Sequence, residues 1–131
     1  MLKLTKTYTD YNGVSRTEDF YFNLSESEIM EMELGTTGGF AEMVQGIVAA
    51  QDAPAIIKIF KQIILKAYGE KSADGKRFVK SEAISEAFAQ TEAYNQLFME
   101  LATDDKKAAD FINGIVPKSA SKTQPVIAPV N

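Results

Sequence analysis

Four glutamates, Glu26, Glu28, Glu31 and Glu33, crowd one short stretch, and Asp104 stands beside Asp105. Converging carboxylates could hold a hard cation or split general-acid and general-base roles. The glutamates, however, fall on a predicted helix with too wide an angular spread, which makes them a solvated surface. The aspartates lie at a predicted helix start, where the helix dipole accounts for them. Gly35-Thr36-Thr37-Gly38-Gly39 could cradle a phosphate at a helix N-terminus. No strand precedes it and no Lys-Ser/Thr pair follows, so it reads as a turn between helices. The chain has no cysteine and no histidine. Disulfides, thiolate chemistry and imidazole bases are excluded, and zinc would be left with carboxylates alone. A nucleophilic serine or threonine would need a lysine or carboxylate base, and no such constellation stands out. Neither catalytic, cofactor-binding nor metal-binding residues are expected, and an enzyme is not expected.

Charge narrows the partners further. The net charge is −4, and Arg16 and Arg77 are the two arginines. Nucleic-acid binding draws most of its affinity from a basic stripe. Here the lysines are dispersed, and the group Lys58, Lys61 and Lys66 reads as the solvated face of a helix. Nucleic acid is therefore not an expected partner. No apolar run approaches the ~20 residues that span a bilayer, and Met1-Leu2-Lys3-Leu4 does not read as a signal peptide. A soluble intracellular protein with no membrane contact is expected.

The chain is organised around Asp52–Tyr68. On a helical wheel Ile56, Ile57, Ile59, Phe60, Ile63, Ile64, Ala67 and Tyr68 share about half the circumference, and Lys58, Lys61, Gln62 and Lys66 take the other. Only Leu65 falls among the lysines. An apolar arc wider than the ~100° of a surface helix predicts contact with two or more neighbours, each large side chain contributing roughly 1.5–3 kcal/mol. Asp52 suits the N-cap, Pro54 the first turn and Gly69 the C′ position.

Residues 2–22 read as a β-hairpin around Asn12-Gly13. A two-residue loop would set Lys3 against Phe22 and Thr5 against Phe20. A three-residue loop, Tyr11-Asn12-Gly13, pairs Leu2 with Phe22, Leu4 with Phe20, Lys6 with Glu18 and Tyr8 with Arg16. The second register joins apolar to apolar and opposite charges, and is preferred. Ser25 and Glu28 form a capping box, with Leu24 and Ile29 as its hydrophobic staple. The helix they open runs through Met30, Met32 and Leu34 to Gly35. Phe40, Met43, Val44, Ile47 and Val48 predict another helix ending near Gln51. Gly69–Lys80 reads as a polar loop turning at Asp74-Gly75, in which Phe78 and Val79 either anchor to the core or meet a partner. Ser81 opens a short helix carrying Ile84, Ala87 and Phe88. Thr91 caps the next, with Tyr94, Leu97, Phe98 and Leu101 on one side. Thr103 or Asp104 caps the last, which carries Phe111, Ile112 and Ile115 and closes at Pro117. Residues 118–131 read as a flexible, disordered tail, whose PVIAPV segment is also apolar enough to act as a binding strand.

The expected fold is mainly α: an N-terminal β-hairpin (2–22), a compact bundle of about five to six short helices (25–116), one domain over 1–117, and the tail. Its chemistry is apolar supply. Met30, Met32, Met43 and Met99 are core fillers or, if exposed, adaptable binding surface. Binding is the expected trade.

From Tyr68 to Pro117 the wording is more specific: YGEKSADGKRFVKS, then F-x-Q-T-E-A-Y, LFMELATD and A-A-D-F-x-N-G-I-x-P. This stretch resembles the tail assembly chaperones of long-tailed phages and prophages of Gram-positive hosts. The resemblance implies a protein of the infected bacterial cytoplasm, absent from the finished virion. It would coat and solubilise the tape measure protein and help tail tube subunits polymerise around it. Family members are commonly made in a short form and a frameshifted long form that recruits the tube protein, and this chain would be the short one. Such a holdase needs tolerant apolar contacts and no cofactor. Phe78, Tyr94, Phe98 and Met99 are the candidate partner-binding residues, and the exposed hairpin edges suggest a homo-oligomer. The rival reading is a small acidic adaptor or regulatory protein that binds one folded host or phage target.

Overall fold

A computed structural model describes residues 1–34, 49 and 53–117. Strands β1 (Leu2–Thr9) and β2 (Ser15–Phe22) form the expected hairpin. Their register pairs Leu2 with Phe22, Leu4 with Phe20, Lys6 with Glu18 and Tyr8 with Arg16. That is the three-residue-loop alternative. The Asp10 N–H donates to the Val14 carbonyl at 2.9 Å and the Gly13 N–H to that of Asp10 at 3.0 Å. Gly13 adopts φ 80°, a conformation that a β-carbon disfavours. The Asp10 carboxylate organises the turn, accepting from the Asn12 and Val14 amides and from Arg16 Nε. Arg16 and these amides hold its pKa below the ordinary carboxylate range. The expected facing charges Lys6 and Glu18 do not pair with each other. Lys6 reaches across to Glu100, while Glu18 accepts from the Tyr8 hydroxyl at 2.6 Å.

Helix α1 (Glu26–Leu34) starts at the predicted capping box. The Ser25 N–H donates to Glu28 Oε1 at 2.8 Å, and the Glu28 N–H to Ser25 Oγ at 3.2 Å. Helix α2 (Ala53–Ala67) is the central helix, but its end differs from expectation. Tyr68 is not helical and Gly69 is no C′ cap: strand β3 (Tyr68–Lys71) begins immediately. Terminal carbonyls that a glycine cap would otherwise serve find partners elsewhere. The Ala67 oxygen accepts from the Asn23 N–H at 2.8 Å, and the Leu65 oxygen from Ser85 Oγ at 3.0 Å.

Residues 69–80 are thus not a plain polar loop. Strand β3 pairs antiparallel with β2, Tyr21 opposite Gly69 and Phe22 opposite Tyr68, and with β4 (Phe78–Val79). The sheet order is β1-β2-β3-β4. The turn at Asp74-Gly75 is as expected, with Gly75 at φ 76° and Ser72 Oγ donating to Asp74. Helix α3 (Glu82–Ala89) is capped by Ser81, α4 (Glu92–Thr103) by Thr91 and α5 (Asp105–Ile115) by Asp104. Between the two candidates for the last cap, Asp104 takes the role. Its carboxylate accepts from the Lys106 and Lys107 amides, whereas the Thr103 hydroxyl bonds the Met99 carbonyl within α4.

Alternation along the hairpin turns Leu2, Leu4, Tyr8, Phe20 and Phe22 towards the helices and leaves the threonines outside. Phe22, Leu24, Phe60, Ile63, Ile64 and Ile115 are fully buried. Helix α2 packs on both α3 and α4, as its wide apolar arc required. Ile57 is the exception on that arc, half exposed, and Leu65, which broke the pattern, packs against the core. The predicted Asp52 cap, the GTTGG turn, the Phe40–Val48 helix stripe and the 118–131 tail lie outside the described residues.

Gly69 faces away from the core, beneath the Phe78 ring. A β-carbon there would come within 2.7 Å of Phe78 Cε2. Because that ring is half exposed and can swing, Gly69→Ala should cost about 1 kcal/mol. The loss should vanish in a Phe78→Ala background, as a double-mutant cycle by urea denaturation would show.

Candidate protein-binding surfaces

Of the four residues singled out in the sequence, three come together and one does not. Tyr94 lies in the core at 8% exposure, its ring edge-on to Phe88 and 6.0 Å from Phe98. Phe98 is half buried against the core, and its neighbour Met99 is 57% exposed. Together they make an apolar strip on α4. Phe78 lies on the other side of the sheet, where pairing puts it on the face of Lys71, Gly69 and Tyr21. Lys80 Nζ stands 5.7 Å from its ring centroid. Phe78 therefore does not share a surface with the α4 residues. Tyr11, at 72% exposure, and Val14 expose the hairpin tip. The Tyr11 hydroxyl leans the tip on α4 by donating to Glu92 at 2.8 Å.

The outer edge of β1 is the second surface. Asp10 and Val14 form a hydrogen-bonded pair at the turn, so alternation of the antiparallel ladder turns the backbone groups of Lys3, Thr5, Thr7 and Thr9 away from β2. Gln96 Nε2 donates to the Thr7 carbonyl at 3.3 Å, which covers one point of this edge.

The third surface was not visible in the sequence. A groove of about 380 Å³ opens between the inner face of β2 and β3 and helix α3, lined by Tyr8, Phe20, Tyr68, Ile84, Ala87 and Phe88, with the carboxylates of Glu18 and Glu70. Tyr68 and Phe88 stack with centroids 4.0 Å apart and an interplanar angle of 10°. Burial raises the Tyr68 phenol pKa above its ordinary value, and Glu70 and Glu18 push it further. The hydrogen bond to Glu18 does the same for Tyr8. Finding the groove requires knowing that Tyr68 and Glu70 belong to a strand, and no hydrophobic periodicity marks four residues of that composition. A smaller hollow of about 220 Å³ lies between β1, α4 and α5. Its charges are matched internally, Lys6 bonding Glu100 and Lys107 lying 3.5 Å from the same carboxylate.

Among the described residues no group of acidic side chains converges as a metal site. Glu26 and Glu31 face solvent, while Glu28 serves its own cap and Lys80. No helix among these residues is long and apolar enough to cross a membrane.

A family model described as phage tail assembly chaperone matches residues 1–125. No curated protein and no solved structure matches the chain.

Proposed function

The chain belongs to the phage tail assembly chaperone family, and from that premise we propose that it binds the tape measure protein, keeps it soluble and promotes tail tube polymerisation around it. The family is one of chaperones, not enzymes, and its partners are tail-related proteins. The match over 1–125 carries the reading, because it takes in the hairpin, the groove and every described helix. The finer assignments are part of the same proposal: the short, non-frameshifted form, from a long-tailed phage or prophage of a Gram-positive host, acting in the host cytoplasm and absent from the mature virion. A folded scaffold with apolar patches and a charged exterior suits a holdase, and many copies along an extended partner make weak contacts sufficient through avidity. Copies would associate through the β1 edge, and the Phe98–Met99 strip, with Tyr94 beneath it, would touch the partner. Phe78 would contribute from the other face of the sheet.

Co-expression with the long tail gene next to its own tests the function. The wild-type chain should move the tape measure protein from the pellet to the soluble fraction, and an unchanged pellet would reject the reading. Met99→Asp should reduce capture of tape measure fragments several-fold. Its melting temperature should stay within a degree or two, since exposed substitutions rarely exceed ~0.5 kcal/mol. Undiminished capture by Met99→Asp, Phe98→Ala and Phe78→Ala would remove these residues from the interface. Self-association should appear in light scattering as species larger than a monomer, and only monomer at high concentration would remove the β1 edge from the proposal.

A further inference from the structure

We propose that the groove between β2, β3 and α3 receives a lysine or arginine side chain of the partner polypeptide, with its cationic head held between Glu18 and Glu70. This rests on the chaperone reading and names the chemistry of what one part of the surface holds.

The lining has the two parts such a side chain needs. Tyr68, Ile84, Ala87 and Phe88 supply apolar wall for an aliphatic stem, which Lys and Arg bury readily while the charge stays at the mouth. The aromatic rings also favour a cation nearby. Glu18 and Glu70 supply the negative charge. The Glu18 carboxylate is partly answered, by the Tyr8 hydroxyl and by Arg16 at 3.6 Å. That of Glu70 has no hydrogen-bond donor or ion-pair partner among the described residues. Both carboxylates line the groove beside the partly buried Tyr68 phenol and add to the rise in its pKa that burial chiefly causes. An arriving cation would relieve that uncompensated charge, whereas an acidic segment would be repelled. The 220 Å³ hollow makes the contrast, because its Glu100 already holds Lys6 and Lys107.

The probes are two labelled amphipathic peptides of about 20 residues, one of lysine and leucine, the other with every lysine replaced by glutamate. The full-length chain should bind the first, with amide shifts in the NMR spectrum concentrated at Glu70, Ala83, Ile84 and Ala87, and should bind the second at least tenfold more weakly. Glu18→Gln/Glu70→Gln should weaken the lysine peptide at least tenfold. Glu26→Gln/Glu31→Gln removes the same charge from exposed positions on α1 and should leave affinity within twofold. Ala87→Lys, which supplies an internal ammonium on the exposed side of α3, should block binding independently of the glutamates. Equal losses in the two glutamine pairs would reduce the effect to net charge and overturn the proposal. So would shifts that map elsewhere. If Lys118→Gln/Lys122→Gln by itself shifts the groove resonances and tightens peptide binding tenfold, the occupant is the chain's own C-terminal segment, and the assignment to a partner falls. The co-expression assay separates the two levels. Failure of the wild-type chain there rejects the chaperone proposal. Success by wild type and Glu18→Gln/Glu70→Gln alike, with peptide affinity unchanged, rejects the groove alone.

Discussion

Phe22→Ala is expected to cost about 3–5 kcal/mol, the range for deleting a buried aromatic side chain. Phe22 is fully buried, and it is the residue on which sheet and helices converge. Its ring lies 5.3 Å from that of Phe111 on α5, 5.6 Å from Tyr68 on β3 and 5.7 Å from Phe88 on α3. Contacts of the edge-to-face kind add to the burial, and a void there is bounded by three different elements that cannot all collapse inward. Against a total of about 5–15 kcal/mol for an ordinary domain, the loss removes much of the stability. It should reach function too, because Tyr68 and Phe88 rest on Phe22 and form the groove wall. Denaturation with urea should show a lower midpoint, and lysine-peptide binding should fall with it. Phe22→Leu keeps most of the volume and should cost less than ~1.5 kcal/mol. A Phe22→Ala chain as stable as wild type would mean that the aromatic cluster does not organise this fold.

The parts of this architecture that were legible in the sequence are those specified by near neighbours. The hairpin register followed from matching Leu2 and Leu4 to Phe22 and Phe20, because a one-residue slip would exchange the two faces. The capping residues Ser25, Ser81 and Thr91 announced their helices, each serving the amide three positions on. What could not be read were outcomes decided at a distance. β3 is a strand because Asn23 offers its N–H to Ala67 and Tyr21 and Phe22 offer an edge beyond it. Nothing within YGEK itself requires this. Ile57 fits the apolar arc of α2 yet is half exposed, since periodicity marks an arc but not which part a neighbour covers. The candidate surface residues divided for the same reason. Phe98 and Met99 share a helix with Tyr94, whereas Phe78 belongs to a sheet face that only the β3–β4 pairing creates. The groove depends on both kinds of information, local aromatics and a distant strand, so its acidic residues looked like ordinary surface.

Lys80→Ala should cost about 2 kcal/mol at neutral pH, a deficit that should shrink in acid. Lys80 Nζ donates to both oxygens of Glu28, at 2.8 Å each, and to the Asn23 carbonyl at 2.7 Å. It thereby ties the start of α1 to the corner whose Asn23 and Leu24 amides satisfy Ala67 of α2 and Ile115 of α5. Removing the ammonium leaves a part-buried carboxylate and a carbonyl without it, a situation that costs more than an exposed ion pair contributes. Burial by itself would raise the Glu28 pKa. Lys80 and the Ser25 amide outweigh it, and the net shift is below the ordinary 4.5. Burial also lowers the Lys80 pKa, with Glu28 only partly opposing, so dehydration takes back some of what the pair gains. Glu28 decides the acid range, because it titrates there while Lys80 stays charged. A carboxyl whose folded pKa is depressed contributes stability that is present above its unfolded pKa and lost as pH falls through the folded value. Wild type should therefore lose this contribution below about pH 4.5. In Lys80→Ala the ammonium that helps to depress the Glu28 pKa is gone, so protonating Glu28 forfeits less there and the deficit against wild type should shrink as pH falls. Melting temperatures at pH 7, 5 and 3.5 for wild type, Lys80→Ala and Glu28→Gln test this: the first two curves should lie furthest apart at pH 7 and converge towards pH 3.5, and the third should be flattest. Parallel wild-type and Lys80→Ala curves would show that the pair is not coupled to α1. Hydrogen exchange gives the location. Lys80→Ala should speed exchange in α1 while the β1–β2 ladder stays protected, whereas Phe22→Ala should loosen both, since one change unfastens a bracket and the other hollows the core.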